Sequence, residues 1–179
     1  QLPADSGYTS RVRRLPVAHD AQQILQFVAQ TFIEVRDDRL HLLVQSQLVN
    51  IGDATYVFPA EGVRIRLPDG FVAFQSQAVM TDQHVEEESG YGLRIRGSLP
   101  PGSVTLAWGF DVPLSGSEAT LRLGNPFRTM RYGVISEAPA GLTMDVAGFP
   151  RTRRVESEEG QTLLATDLVS SDEYPLEER

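Results

Sequence analysis

Val104-Thr-Leu-Ala-Trp-Gly-Phe110 sets Val104, Leu106, Trp108 and Phe110 on one side of the chain and Thr105, Ala107 and Gly109 on the other. That period of two belongs to a half-buried β-strand. Two further stretches repeat it: Val63, Ile65 and Leu67 alternate with Arg64 and Arg66, and Leu93 and Ile95 alternate with Arg94 and Arg96. Leu40–Val49 is a longer strand candidate, and Ala119–Leu123, Met130–Ile135, Leu142–Val146, Arg153–Glu156 and Gln161–Thr166 are shorter ones. Between them stand Asn50-Ile-Gly-Asp53, Pro68-Asp-Gly70, Pro100-Pro-Gly102, Ser115-Gly-Ser117, Asn125-Pro126 and Gly148-Phe-Pro150. Each supplies a preset φ or tolerates a positive one where the chain reverses. About ten strands punctuated in this way predict an all-β protein, an antiparallel two-sheet β-sandwich of Ig-like or transthyretin-like type.

One segment reads two ways. In Asp20–Val35, the residues Ile24, Leu25, Phe27, Val28, Phe32 and Val35 fit one helical face with Asp20 as N-cap. Leu25, Phe27, Ala29, Thr31, Ile33 and Val35 also alternate, and Arg36-Asp-Asp-Arg39 would then connect a hairpin to Leu40–Val49. Helix and strand both stay open; the β-branched and aromatic residues of the second half favour the strand.

The chain of 179 residues is 41% hydrophobic and 22% charged, an ordinary profile for a globular domain. All sixteen basic residues are Arg, and there is no Lys and no Cys. The first absence removes Schiff-base and P-loop lysine chemistry. The second removes disulfides, thiolate metal sites and cysteine nucleophiles. A formal net charge of -8 argues against a general grip on nucleic acid. No apolar run reaches the ~18–20 residues of a membrane-spanning helix. Three zones differ in composition: residues 1–20, an arm or first edge strand; 21–168, the sandwich domain; and 169–179, an acidic tail expected to be mobile.

The turn signatures also recur in a set order. Asn50-Ile-Gly-Asp-Ala-Thr-Tyr56 follows a long strand, Arg66-Leu-Pro-Asp-Gly70 closes the next, and Gly97-Ser-Leu-Pro-Pro-Gly102 introduces Val104–Phe110, which leads into Asp111-Val-Pro-Leu114. This order resembles a group of bacterial extracytoplasmic β-sandwich domains, often labelled carboxypeptidase-regulatory-like. The resemblance covers roughly residues 20–168. It implies a location in the periplasm or cell envelope, membrane tethering through an anchor outside this chain, and no catalytic residues to carry over. The present chain departs from the group in ending at Glu177-Glu-Arg179 with no spanning segment. Physically such corners are folding devices: Asn50 and Gly52 tolerate left-handed backbone, Asp53 or Thr55 can bond turn amides, and Tyr56 can cover a sandwich edge.

His19, His41 and His84 share no local ligand spacing and read as surface or interface histidines. Asp37, Asp38, Asp53, Asp69 and Asp82 begin no calcium-loop pattern, so no metal and no cofactor are expected. The pattern G-x-S-x-G does not occur. Glu86-Glu-Glu88 reads as a solvated loop. Trp108, Phe110, Tyr91 and Phe74 could form a sugar-binding platform, but Trp108 shares the apolar face of its strand and reads as a core anchor.

The arginines supply the sharper expectation. Arg64 and Arg66 lie on one face of their strand, as do Arg94 and Arg96, in the same Arg-Ile-Arg sequence. If those strands are neighbours, four guanidinium groups share a solvent face, where directly opposed like charges need compensation. Glu61 and the Glu86–Glu88 run are the intramolecular candidates. An anionic glycan, a lipid head group or an acidic protein surface is the external one, because the planar fork of Arg suits carboxylate and phosphate. Two more clusters, Arg11, Arg13, Arg14 and Arg151, Arg153, Arg154, are expected to pair with acidic segments. The sequence thus predicts a non-catalytic binding or structural module of the bacterial cell envelope. A carbohydrate-binding module and a hydrolase using scattered acidic residues are the alternatives.

Overall fold

The computed structural model describes residues 14–76 and 83–170. Twelve strands form among them: β1 (Val17–Ala18), β2 (Ile24–Val35), β3 (Arg39–Asn50), β4 (Thr55–Val57), β5 (Val63–Arg66), β6 (Val72–Ser76), β7 (Gln83–Glu88), β8 (Gly92–Leu99), β9 (Gly102–Pro113), β10 (Thr129–Glu137), β11 (Arg153–Glu156) and β12 (Thr162–Val169). They make a two-sheet β-sandwich. The larger sheet runs β11-β12-β10-β2-β3-β9-β6, and the smaller has β8 at its centre, flanked by β7 on one side and by β5 and β4 on the other.

The sheets are mixed, not purely antiparallel: β10 runs parallel to β2, and β1 parallel to β4. Turn signals announce hairpins between sequence neighbours, whereas a parallel pair is joined by a long crossover that leaves no local mark. The ambiguous segment after Asp20 is a strand. Only a 3-10 turn, Ala21–Gln23, precedes it, with Asp20 accepting from the Gln22 amide at 2.9 Å.

Several boundaries differ from expectation. Ala119–Leu123 and Leu142–Val146 are irregular, although Leu121 and Leu123 still pack against the core. The Glu86–Glu88 run is not a loop but the end of β7. Val17–Ala18 lies at the edge of the smaller sheet, beside β4. Of the tail, Val169 ends β12 and Ser170 is buried, and the remainder lies outside the described residues, as do Arg11 and Arg13.

The core lies where the inner faces of the two sheets meet. Leu42, Val44 and Leu48 of β3 and Leu106, Trp108 and Phe110 of β9 face Tyr56, Ile65, Leu93, Ile95 and Leu99 of the smaller sheet. Each such side chain contributes about 1.5–3 kcal/mol by leaving water. The inner face of the other half of the large sheet is more polar. There Gln26 donates to Ser46 at 2.8 Å, Thr129 donates to Gln26 at 2.5 Å, and Thr31 bonds Tyr132 at 3.0 Å. No strand of the smaller sheet pairs over this half; irregular segments cover it, with Phe149 edge-on to Tyr132 and the Pro150 carbonyl accepting from Thr166.

The Asn50–Tyr56 turn is held differently from the sequence reading. Neither Asn50 nor Gly52 has a positive φ. Instead the Asn50 side chain, 2% exposed, donates to the carbonyls of Ala54 and Leu99, both at 2.8 Å, and accepts from the Gly52 amide at 3.0 Å. It bolts the end of β3 to β8 of the opposite sheet. Asn50→Ala would leave two buried carbonyls without a donor, so urea unfolding should show a loss of about 2–3 kcal/mol with an unchanged m-value. A loss under about 0.5 kcal/mol would mean the bolt carries no load.

Candidate functional site

The four arginines of the two Arg-Ile-Arg segments do share one face. In the β5–β8 pair Arg64 stands directly opposite Arg94, with Val63 opposite Ile95 and Arg66 opposite Gly92. On the other flank of β8, Glu86 stands opposite Arg94, His84 opposite Arg96 and Glu88 opposite Gly92. Ile65, Leu93 and Ile95 point into the core, so the charged row faces solvent. Opposed guanidinium groups on neighbouring strands are unfavourable without a counter-charge. Glu88 supplies it.

The Glu88 carboxylate reaches over β8 and is gripped at both oxygens by Arg64, Nη2 to Oε1 at 2.6 Å and Nε to Oε2 at 3.0 Å. Arg94 Nη2 lies 3.1 Å from Oε2. Gly92 is the β8 residue between Glu88 and β5 in this register, and it leaves the path clear. Its backbone explains why it is glycine: φ is +152°, and a Cβ would sit 2.2 Å from the Ile65 carbonyl oxygen. Two guanidiniums beside one carboxylate hold the Glu88 carboxyl below its ordinary range, Arg64 by the larger hydrogen-bond effect and Arg94 by the lesser. The Arg64 guanidinium also lies 3.8 Å from the centre of the Tyr91 ring.

The rest of the patch is less compensated. Among the described residues Arg66 pairs only with the exposed Asp69, at 3.1 Å. Arg96 makes no ion pair among the described residues, and its Nε is buried without a hydrogen-bond partner there. Glu61, named from the sequence as a counter-charge, makes no ion pair among the described residues, whereas Glu88 of the acidic run does. The second basic cluster is partly matched: Arg153 approaches Asp167 at 3.5 Å, and Arg154 donates to the Leu142 carbonyl.

The aromatic platform does not form as drawn from sequence, since Trp108 and Phe110 are buried in the core. The core-anchor reading of Trp108 holds. Two shallow depressions open at the surface, one of about 210 Å³ lined by Ile24, Tyr56, Val63 and Phe127, the other of about 250 Å³ lined by Leu67, Asp69, Glu87 and Tyr91. Both fall below the ~300–1,000 Å³ usual for small-molecule sites.

A second charged cluster was not read from the sequence. His41 of β3 stands opposite Asp111 of β9 on the outer face of the large sheet. Its Nδ1 donates to Asp111 Oδ1 at 2.5 Å, and Arg39 reaches the other oxygen at 3.3 Å and Asp38 at 2.7 Å. The alternation of Leu40–Val49 puts His41 on the polar face, and that of Val104–Phe110, continued one residue, does the same for Asp111. Only the β3–β9 register brings them together. Among the described residues no group of three or more His, Asp or Glu side chains is arranged to hold a metal ion.

The His41 hydrogen bond, and secondarily Arg39, lower the Asp111 pKa from its ordinary value against the opposing effect of burial. A depressed carboxyl stabilises the fold above its unfolded pKa of about 3.9 and loses that contribution as pH falls through the folded value. Below pH ~5, therefore, the stability advantage of wild type over Asp111→Asn should hold until about pH 4 and then shrink in chemical denaturation. A constant advantage down to pH ~2 would show that Asp111 gains nothing from its partners.

No family model matches the chain, and no curated protein matches it. Among solved structures it is similar to a mutant two-domain M1 zinc metallopeptidase bound to L-arginine, at 14% identity and a TM-score of 0.43, and to one bound to L-tryptophan, at 14% and 0.41. A third is a mutant M1 zinc metallopeptidase from Deinococcus radiodurans bound to a Tyr-Ser-Ala substrate, at 12% and 0.40. Each similarity covers 82% of this chain and 39% of the other, so the chain spans well under half the length of these proteins.

Proposed function

We propose that the chain is a non-catalytic binding or structural module that engages an anionic partner through Arg64, Arg66, Arg94 and Arg96. The observation that carries this reading is the sharing of Glu88 by Arg64 and Arg94. One carboxylate orients two guanidiniums while neutralising only one charge, and Arg66 and Arg96 stand beside them, the first with an exposed partner and the second with no ion-pair partner among the described residues. Planar, pre-oriented guanidiniums suit a carboxylate- or phosphate-bearing ligand, whether a glycan, a lipid head group or an acidic protein surface. The resemblance of the turn motifs to bacterial extracytoplasmic sandwich domains supports placing this module in the cell envelope, tethered through an anchor outside this chain.

Binding to polygalacturonate and to vesicles containing anionic lipid tests the reading. Arg64→Gln and Arg94→Gln should each weaken binding about tenfold or more, in line with loss of a charge-assisted hydrogen bond. Glu88→Gln, which frees both guanidiniums, should strengthen it. Unchanged binding in all three variants, or no binding by the wild type to any anionic probe, would contradict the proposal.

A further inference from the structure

One side of the sandwich opens between the two sheets, at the depression of about 210 Å³. Its walls come from both: Ile24, the first residue of β2, belongs to the larger sheet, and Tyr56 of β4 and Val63 of β5 belong to the smaller. Phe127 and Arg128, on the segment that leads into β10, complete them. Ile24, Tyr56, Val63 and Phe127 are all members of the core or packed against it, so the depression bares core surface. It is small for a drug-sized ligand, yet an apolar cavity of ~150 Å³ takes up benzene. The volume here admits a single ring or a short acyl chain.

Two polar groups of the wall lack partners. Tyr56 is 4% exposed, yet its hydroxyl makes no hydrogen bond among the described residues and is not sealed from solvent. A buried tyrosine hydroxyl usually finds a partner. Burial, and secondarily the charge of Asp20, hold this hydroxyl above its ordinary pKa, so it is a neutral donor at pH 7. Arg128, half-buried, makes no ion pair among the described residues. It is nonetheless held in place: Nη1 donates to the Gln22 carbonyl at 3.0 Å, and its backbone carbonyl accepts from the Gln26 amide at 2.9 Å. The other guanidinium nitrogens, Nε and Nη2, make no hydrogen bond among the described residues. Asp20 does not neutralise this cation; its carboxylate is exposed and accepts from the Gln22 amide.

We propose that this opening binds a small monocarboxylate whose apolar body is one ring or a short acyl chain. The body lies between Ile24, Val63 and Phe127, out of water, and the carboxylate accepts from the Tyr56 hydroxyl and from the free edge of the Arg128 guanidinium. The planar fork of arginine matches a carboxylate, and bonds to an ionised acceptor are stronger than those to a neutral one. The site therefore selects an acid over the alcohol of similar shape. It is separate from the arginine face: Val63 packs against the core, whereas Arg64, the next residue of β5, stands on the opposite, solvent side of the sheet.

Titration of the full chain with benzoate and with hexanoate, followed through backbone amide NMR shifts, tests this. The shifts should centre on Gln22, Ile24, Val63 and Phe127 and saturate with a dissociation constant of about 1 mM or lower. Benzyl alcohol should bind about tenfold or more weakly than benzoate. Tyr56→Phe should weaken benzoate about tenfold without lowering the urea midpoint, because the hydroxyl has no partner in the protein to lose. Arg128→Gln should bring benzoate down to the level of benzyl alcohol. Benzoate shifts confined to Arg64, Arg66, Arg94 and Arg96 would overturn this site and leave the arginine face standing. No saturable shift at the pocket residues, equal affinity of the wild type for benzoate and benzyl alcohol, or unchanged benzoate affinity in both variants would also overturn it.

Discussion

The pairing of β3 with β9 is the constraint on which the rest of the molecule depends. All twelve residues of β3 are matched to β9, from Arg39 opposite Pro113 to Asn50 opposite Gly102, and the same strand is matched along its length to β2 on its other side. That register fixes which side chains face the smaller sheet. Leu42, Leu48, Leu106 and Phe110 become fully buried, and a slip by one residue would turn every one of them to solvent. It also sets both ends of the ladder: His41 meets Asp111 near the β2–β3 turn, and Asn50 reaches the smaller sheet at the other end.

Charge is organised around the same frame. Every Arg pair that the strands bring together on a surface is held by a single carboxylate: Arg64 and Arg94 by Glu88, Arg131 and Arg153 by Asp167. Exposed ion pairs of this kind contribute little to stability, about 0–1 kcal/mol each. Their effect is to orient guanidinium planes. This separates the stability of the molecule, which rests on burial between the sheets, from the arginine surface proposed for binding, which lies outward on the smaller sheet.

Much of this was legible in the sequence, for physical reasons that also explain the rest. Val104–Phe110 and the two Arg-Ile-Arg segments alternate cleanly because one face of each is buried, and they are strands. The shared face of Arg64, Arg66, Arg94 and Arg96 followed from the same alternation. Residues 24–35 read as helix or strand because apolar and polar side chains are mixed on both faces of β2, Gln26 and Thr31 on the inner one and Gln30 on the outer, so neither face alone set the period. Glu86–Glu88 looked like a loop because β7 is a flanking strand whose charges answer the arginines of β8. The parallel β2–β10 pair and the His41–Asp111 contact, seventy residues apart, depend on long-range register, on which local pattern is silent.

Native-state hydrogen exchange measures the central constraint most directly. If the β2–β3–β9 ladder is the frame, the amides of Leu42–Leu48 exchange only through global unfolding, with a free energy equal to that from denaturant, while those of edge strands β11 and β6 open locally at lower cost. Exchange of the Leu42–Leu48 amides through openings less costly than those of β5 or β8 would contradict it.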